Sequence, residues 1–120
     1  MKKGKILVVD DNKGIRDALK ILLGSCFAQV QTIASPTTLM TTTEEMMPDV
    51  ILLDMNFKTD INSGNEGLYW LSEIKNRWPE MPVVLFTAYA DIALAVEGMK
   101  RGASDFIVKP WDNAKLIETL

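Results

Sequence analysis

The sequence predicts an α/β fold in which a parallel sheet of five strands carries helices on both faces. Three short runs, at residues 6–9, 50–53 and 83–86, are apolar throughout, which is typical of interior parallel strands that are buried on both faces. Amphipathic segments with helical spacing follow these runs, so strand and helix alternate along the chain. The 120 residues are enough for one domain with its own core.

Two further strands complete the predicted sheet. Residues 28–33 alternate between apolar and polar side chains, which predicts a half-exposed strand at an edge of the sheet. Residues 106–108 form a short apolar run that ends at Lys109 and Pro110. The alternation of strand and helix, combined with right-handed crossovers, leaves few possible arrangements of these five strands.

Five helices are predicted from apolar stripes and from the residues that begin or end them. The second starts at Ser35 and Pro36, where a capping hydroxyl precedes a proline, and its many threonines make it a weak helix. Gly98 costs the fourth about 1 kcal/mol of helix propensity relative to Ala, which we interpret as a sign of a marginal helix. The stripes are Ile15, Leu19, Leu22 and Leu23, ended by Gly24; Leu68, Leu71, Ile74 and Trp78, ended by Pro79; and Ile92, Ala95, Val96 and Met99, between a cap at Asp91 and Gly102; the fifth helix begins at Asp112.

Composition excludes several classes of function. Thirteen basic and sixteen acidic residues give a net charge of −3 without a basic stripe, which argues against direct contact with nucleic acid or a membrane surface. The absence of histidine excludes a histidine nucleophile and an imidazole metal site in this segment. Cys26 is the only cysteine, so no internal disulfide can form, and with no export signal we expect a cytoplasmic protein.

Polar residues of particular types follow the predicted strands. Asp10 and Asp11 follow the first strand, Asp54 the third, Thr87 the fourth and Lys109 the fifth. Each alone could be an ordinary turn former or cap, but in an open parallel sheet all five lie at the carboxyl edge, where ligands bind. The sequence therefore predicts a functional site at this edge.

These residue types predict phosphoryl chemistry on a carboxylate. Converging carboxylates repel one another, and a hard divalent cation such as Mg²⁺ removes that repulsion through oxygen ligands. We predict Asp10, Asp11 and Asp54 as metal ligands, with a backbone carbonyl from Asn56. Asp54 is the predicted nucleophile, because it stands alone at the central strand and a carboxylate can form an acyl phosphate. We predict that Lys109 is the cation that pairs with one phosphoryl oxygen and that Thr87 donates a hydrogen bond to another phosphoryl oxygen.

The chain resembles the receiver domain of response regulators from bacterial two-component systems over essentially its whole length. The order, spacing and structural context of five segments carry this resemblance. The segments are residues 5–11 (KILVVDD), residues 48–55 (PDVILLDM), Thr87-Ala88, Gly102-Ala103 and residues 106–110 (FIVKP).

The resemblance implies a flavodoxin-like, doubly wound sheet with strand order 2-1-3-4-5 and a cis peptide between Lys109 and Pro110. It also implies Mg²⁺ dependence and transfer of a phosphoryl group from a sensor histidine kinase to Asp54. Thr87 and the strand-five aromatic, Phe106, would act as switch residues. They would change the face formed by helix four, strand five and helix five, which controls an effector in cis or in trans and can form a homodimer. Such a domain is not an enzyme, since it assists only its own phosphorylation and dephosphorylation.

The segment at residues 57–65 departs from the family pattern, because it inserts several polar residues between Asp54 and the third helix. This extension resembles receivers attached to ATPase-type activators of alternative-sigma-factor transcription, the nitrogen-regulatory type. The predicted fifth helix still has helical pattern at residue 120. We therefore expect residues 1–120 to be a receiver domain excised from a longer response regulator.

Three other functions remain open from the sequence. A Mg²⁺-dependent phosphatase with an aspartyl nucleophile also places Asp at a strand end. Such enzymes resemble one another in an Asp-x-Asp motif, whereas this chain has Asn56 at the second position, and no cap domain is present. A flavodoxin-like nucleotide binder would need a phosphate-cradling loop where Asp10 and Asp11 stand. A degenerate receiver that acts only in docking is disfavoured by the intact acidic residues.

Overall fold

The structure, a computed structural model, describes residues 3–55, 66–88 and 92–120 of the chain. Within this part, five parallel strands form one sheet in the order β2-β1-β3-β4-β5, which confirms the predicted fold class and strand order. The predicted cap at Asp91, the carbonyl of Asn56 and the insertion at residues 57–65 lie outside the described residues. The elements in chain order are β1 (Lys3–Val9), α1 (Lys13–Leu23), β2 (Phe27–Ile33), α2 (Leu39–Met46), β3 (Val50–Asp54), α3 (Glu66–Arg77), β4 (Val83–Ala88), α4 (Ile92–Lys100), β5 (Asp105–Lys109) and α5 (Asn113–Thr119).

Two apolar cores lie on opposite faces of the sheet. Successive strand residues point to opposite faces, so Leu7 of β1 and its neighbour Val8 belong to different cores. Leu39 of α2 and Leu71 of α3 pack with Leu7 on one face. Helices α1 and α5 cover the other face, where Leu19 packs. The strands that carry the carboxyl-edge loops are therefore fixed from both sides.

Helix ends follow the local sequence closely. Asn12 caps α1 by accepting a hydrogen bond from the N–H of Ile15, and the N–H of Gly24 closes the helix on the carbonyl of Lys20. Ser35 begins not α2 itself but a short 3₁₀ helix, Pro36–Thr38, that leads into α2. In the part of the chain that the structure describes, no helix has the length and apolar character needed to cross a membrane.

The predicted apolar stripe of α4 is partly wrong. Val96 and Met99 are exposed, at 46% and 38%, whereas Ala95 and Gly98 are buried. The reason is that α4 approaches the sheet through its smallest side chains. An added Cβ on Gly98 would lie 2.3 Å from Cδ1 of Leu85, so only glycine permits this approach. Gly98 thus lowers helix propensity but allows close packing, and the sequence-based interpretation considered only the first effect.

We expect Gly98→Ala to destabilise the protein. The substitution gains about 1 kcal/mol of helix propensity but overpacks a buried site at a cost of about 1–3 kcal/mol, so the free energy of unfolding should fall by roughly 1 kcal/mol. Urea denaturation measures this change. In a Leu85→Ala background the clashing atom is absent, so the cost of Gly98→Ala should shrink. A stabilised Gly98→Ala single variant would contradict the packing explanation.

Candidate functional site

The strand register places the predicted site residues at one edge of the sheet. Val9 pairs with Leu53 in the parallel ladder, so Asp10 and Asp54, which follow them directly, lie side by side. Lys109 is the last residue of β5 and pairs with Ala88 of β4. Since carboxyl ends of parallel strands share an edge, these polar side chains converge.

Lys109 joins two buried carboxylates. Its Nζ lies 3.1 Å from Oδ2 of Asp10 and 3.0 Å from Oδ1 of Asp54. Asp10 is fully buried and Asp54 is 1% exposed. Buried charges are costly unless they are paired and hydrogen-bonded, so the ammonium accounts for much of how this edge tolerates two carboxylates.

The path of the Lys109 side chain explains why a long cation is needed. Strand β4 separates β5 from β3, and two strand spacings amount to about 10 Å. The side chain crosses this gap with Nζ 4.9 Å from the ring centroid of Phe86, a residue of β4. The ring of Phe86 in turn lies 5.3 Å from that of Trp111, centroid to centroid. An aromatic pair thus supports the ammonium that reaches the carboxylates.

Asp11 adds a third carboxylate to the cluster. Carboxylate oxygens of Asp10, Asp11 and Asp54, one from each residue, all lie within 4.8 Å of one another. Asp11 is half-buried, while the other two are buried. A hard divalent cation fits this donor set, because it prefers carboxylate oxygens and offsets their mutual repulsion.

The environment of Lys109 raises its pKa. Burial acts to lower the pKa of the ammonium, but the charges and hydrogen bonds of Asp54 and Asp10 outweigh burial and hold the pKa above its ordinary value of 10.5. The bridging ammonium is therefore charged throughout the physiological range. It supplies one fixed positive charge beside three carboxylates.

This shift predicts a stability difference at alkaline pH in metal-free protein. A pKa that is higher in the folded state gives stability that is fully present below the unfolded value, about 10.5, and is lost as pH rises through the folded value. The excess stability of wild type over Lys109→Met should therefore shrink as the pH rises above about 10.5. Chemical denaturation in EDTA measures it. A difference that does not change across this range would contradict the assigned ion pairs.

Thr87 and Phe106 lie on the neighbouring strands β4 and β5. Thr87 is fully buried in β4, and its hydroxyl donates to the carbonyl of Ala88 at 3.3 Å. Phe106 of β5 is half-buried and packs against the core that contains Leu85. The peptide bond between Lys109 and Pro110 is cis. The roles of Thr87 and Phe106 as switch residues stay predictions.

Sequence reasoning missed the residues that support the acidic loop, which is formed by residues 10–12 between β1 and α1. The N–H of Asn12 donates to Oδ1 of Asp10 at 2.9 Å, and Nη1 of Arg16 donates to the carbonyl oxygen of Asp10 at 2.8 Å. The position of Asn12 just before a helix is a recognisable cap signal. No comparable signal marks Arg16, or Phe86 beneath Lys109, because their partners are distant in sequence or are backbone atoms.

The chain is similar to known receiver domains. Residues 6–120 match the family described as the response regulator receiver domain. The structure resembles the N-terminal signal receiver domain of a two-component system response regulator from Bacteroides fragilis, with 57% identity, coverage of 99% of this chain and 94% of that one, and a TM-score of 0.90. It also resembles the receiver domain of NtrX from Brucella abortus, with 34% identity, coverage of 94% and 92%, and a TM-score of 0.84.

Curated relatives are longer proteins. The DNA-binding transcriptional regulator NtrC of Salmonella typhimurium is 33% identical over 112 residues, which cover 93% of this chain but 23% of that protein. The transcriptional regulatory protein FixJ of Azorhizobium caulinodans is 34% identical over 110 residues, which cover 92% of this chain and 50% of that protein. The chain thus spans about a quarter to a half of these relatives' lengths.

Proposed function

Because the chain belongs to the response regulator receiver domain family, we propose that it is a signalling switch that accepts a phosphoryl group on Asp54. The observation that carries this proposal is the bridge from Nζ of Lys109 to the buried carboxylates of Asp10 and Asp54. This bridge places a carboxylate nucleophile next to a cation that can neutralise a transferred phosphoryl group.

Among the three carboxylates, Asp54 is best placed to be the nucleophile. Asp10 is held at both carboxylate oxygens, since Oδ1 accepts from the N–H of Asn12 and Oδ2 accepts from Lys109. That anchoring suits a metal ligand, which must keep its position. Asp54 ends the central strand, β3, which lies between β1 and β4.

We propose Mg²⁺ as the cofactor, held by Asp10, Asp11 and Asp54 and by the backbone carbonyl of Asn56. When bound, Mg²⁺ would neutralise carboxylate charge and that of the phosphoryl oxygens. Three carboxylates contribute −3 and Lys109 contributes +1, so a divalent cation brings the site close to neutrality. A neutral site no longer repels an anionic phosphodonor.

The proposed donor is a phosphohistidine on a sensor histidine kinase, as membership of the receiver family suggests. Because this chain contains no histidine, that phosphohistidine must belong to another molecule. As an oxygen of Asp54 forms a bond to phosphorus, the bond between phosphorus and the kinase imidazole nitrogen breaks. The nitrogen keeps the electron pair and takes up a proton from solvent. Lys109 pairs with one phosphoryl oxygen and the hydroxyl of Thr87 with another. The chain assists this transfer and its later hydrolysis, and does not turn over an external substrate.

The proposed output is a change on the face formed by α4, β5 and α5. The new phosphoryl charge draws Thr87, and Phe106 on the adjacent strand repacks with it. This face then controls an effector domain, in cis or in trans, or a second copy of the chain. Support for a joined effector comes from relatives such as NtrC, of which this chain covers 23%. Direct contact with nucleic acid is not part of the proposed role, and a cytoplasmic location stays a prediction.

Intact mass spectrometry after incubation with Mg²⁺ and acetyl phosphate tests the proposal. We expect a gain of one phosphoryl group that depends on Mg²⁺ and is lost at alkaline pH, as an acyl phosphate requires. No gain with either acetyl phosphate or a phosphorylated histidine kinase would favour a domain that acts only in docking. A gain that is stable to alkali would contradict a carboxylate acceptor.

A further inference from the structure

Arg16 contacts the acidic loop but has no role in the phosphoryl chemistry proposed above. It lies in the first turn of α1, where its own N–H donates to the carbonyl of Asn12 at 3.0 Å. Its side chain turns back toward the sheet, and Nη1 donates to the carbonyl oxygen of Asp10 at 2.8 Å. Arg16 is half-buried, so this contact is partly shielded from water.

Asp10 is fixed at every polar group it has. Its N–H donates to the carbonyl of Ile33 at 3.1 Å, which extends the ladder between β1 and β2. Its two carboxylate oxygens accept from the N–H of Asn12 and from Nζ of Lys109. The remaining group is the carbonyl, and Arg16 is its partner. Among the residues that the structure describes, Lys109 and Arg16 are therefore the side chains that hold Asp10, one at its carboxylate and one at its backbone.

The carbonyl that Arg16 holds belongs to the peptide plane between Asp10 and Asp11. The carbonyl oxygen of Asp10, the N–H of Asp11 and both Cα atoms lie in that plane. Fixing the oxygen therefore fixes the direction in which the backbone enters Asp11. A rotated plane would move the Asp11 carboxylate relative to those of Asp10 and Asp54, which now lie within 4.8 Å of it.

The acidic loop needs such a restraint because its charges oppose the observed arrangement. Asp10 and Asp11, which follow β1, lie close to Asp54 at the end of β3, and Lys109 contacts two of these three carboxylates. Their repulsion favours rotation of the loop away from Asp54 when no metal is bound. A guanidinium stays charged at all working pH values and bonds strongly to a carbonyl, so it opposes that rotation.

We propose that Arg16 is a positioning residue that holds the Asp10–Asp11 peptide plane in the orientation that a divalent cation requires. This inference rests on the proposed function, since it concerns the same metal site. Arg16 does not touch the metal or the phosphoryl group. It acts on metal affinity by keeping two ligands in place before the metal arrives.

The test is direct Mn²⁺ binding, followed by the loss of the free-ion electron paramagnetic resonance signal. Arg16→Gln should bind Mn²⁺ about 10-fold more weakly than wild type, the usual cost of losing a contact that orients a metal ligand. Lys20→Gln is the matched control, because Lys20 is an exposed residue of the same helix and its loss changes net charge equally. Lys20→Gln should bind Mn²⁺ as wild type does.

The kinetics should separate positioning from chemistry. With acetyl phosphate as donor, Arg16→Gln should raise the Mg²⁺ concentration for half-maximal phosphorylation about 10-fold and leave the rate at saturating Mg²⁺ close to that of wild type. Arg16→Lys keeps a cationic donor and should recover part of the loss. A purely structural role would instead lower thermal stability without changing Mn²⁺ affinity.

Several outcomes would overturn the inference. Wild-type Mn²⁺ affinity in folded Arg16→Gln would do so while leaving the proposed function intact. If Arg16→Gln does not fold, Arg16→Met decides, because Met keeps a long apolar stem but has no group to donate to the Asp10 carbonyl, and wild-type affinity in that folded variant would also overturn the inference. A wild-type protein that binds no Mn²⁺ would refute the metal site itself, and the proposed function with it.

Discussion

Replacing Asp54 by Asn is expected to abolish phosphoryl transfer to the chain. The amide is nearly the same size as the carboxylate but lacks the negatively charged oxygen that attacks phosphorus. Asp54 is buried at the end of the central strand, so a change of shape would disturb the core, and Asn avoids that disturbance. With Mg²⁺ and acetyl phosphate, the mass gain of the variant should fall to the detection limit.

Asp17→Asn is the matched control for this experiment. Asp17 loses the same charge, but it is an exposed residue of α1 that pairs with Lys13. The Asp17→Asn variant should accept a phosphoryl group, since it retains Asp54. Circular dichroism should show that both variants are folded. A phosphoryl gain that survives in Asp54→Asn would mean that another residue is the acceptor.

Replacing Lys109 by Met is expected to change metal binding and phosphorylation in opposite directions. Loss of the ammonium leaves the carboxylates of Asp10 and Asp54 without their shared cation, so Mg²⁺ should bind more tightly. The same loss removes the cation that pairs with the phosphoryl group, so the rate of phosphorylation at saturating Mg²⁺ should fall about 100-fold. Calorimetric titration measures the first effect, and the time course of mass gain measures the second.

Lys75→Met separates this electrostatic effect from the general cost of removing a partly buried lysine. Nζ of Lys75 donates to the carbonyl of Met81 at 2.9 Å and lies away from the acidic cluster. Mg²⁺ affinity and phosphorylation should therefore stay near wild type in this variant. Weaker Mg²⁺ binding in Lys109→Met, or a wild-type rate, would contradict the assigned role of the ammonium.

Much of the fold and the core of the site could be predicted because both follow from local rules. Apolar runs predict buried parallel strands, and the carboxyl ends of such strands share an edge. The polar residue that follows each run is therefore predicted to lie at the carboxyl edge of the sheet. Nζ of Lys109 lies 3.1 Å from Asp10 and 3.0 Å from Asp54, although 99 and 55 positions separate these residues from Lys109 in the chain.

The remaining features could not be predicted because they depend on approach distances between elements. Gly98 is ambiguous in sequence, since the same residue weakens a helix and permits close packing. Its role follows only from the distance of 2.3 Å that an added Cβ would have to Leu85. The exposure of Val96 and Met99 follows from the same close approach.

Contacts to backbone atoms escape sequence patterns for a related reason. Arg16 binds a carbonyl oxygen, and every residue has one, so no particular residue type marks the partner. Phe86 reads as one more apolar residue of a buried strand, and only the crossing path of Lys109 places a cation 4.9 Å from its ring. These supporting residues determine how the charged groups are held, which the strand-end pattern alone does not reveal.

Chemical location of the phosphoryl group tests the central claim most directly. Borohydride reduces an aspartyl phosphate to homoserine, and peptide mass spectrometry then identifies the converted position. After phosphorylation with Mg²⁺ and acetyl phosphate, we predict homoserine at residue 54 and unchanged Asp10 and Asp11. Homoserine at residue 10 or 11, or none in a protein that has gained a phosphoryl group, would contradict the assignment of Asp54 as the acceptor.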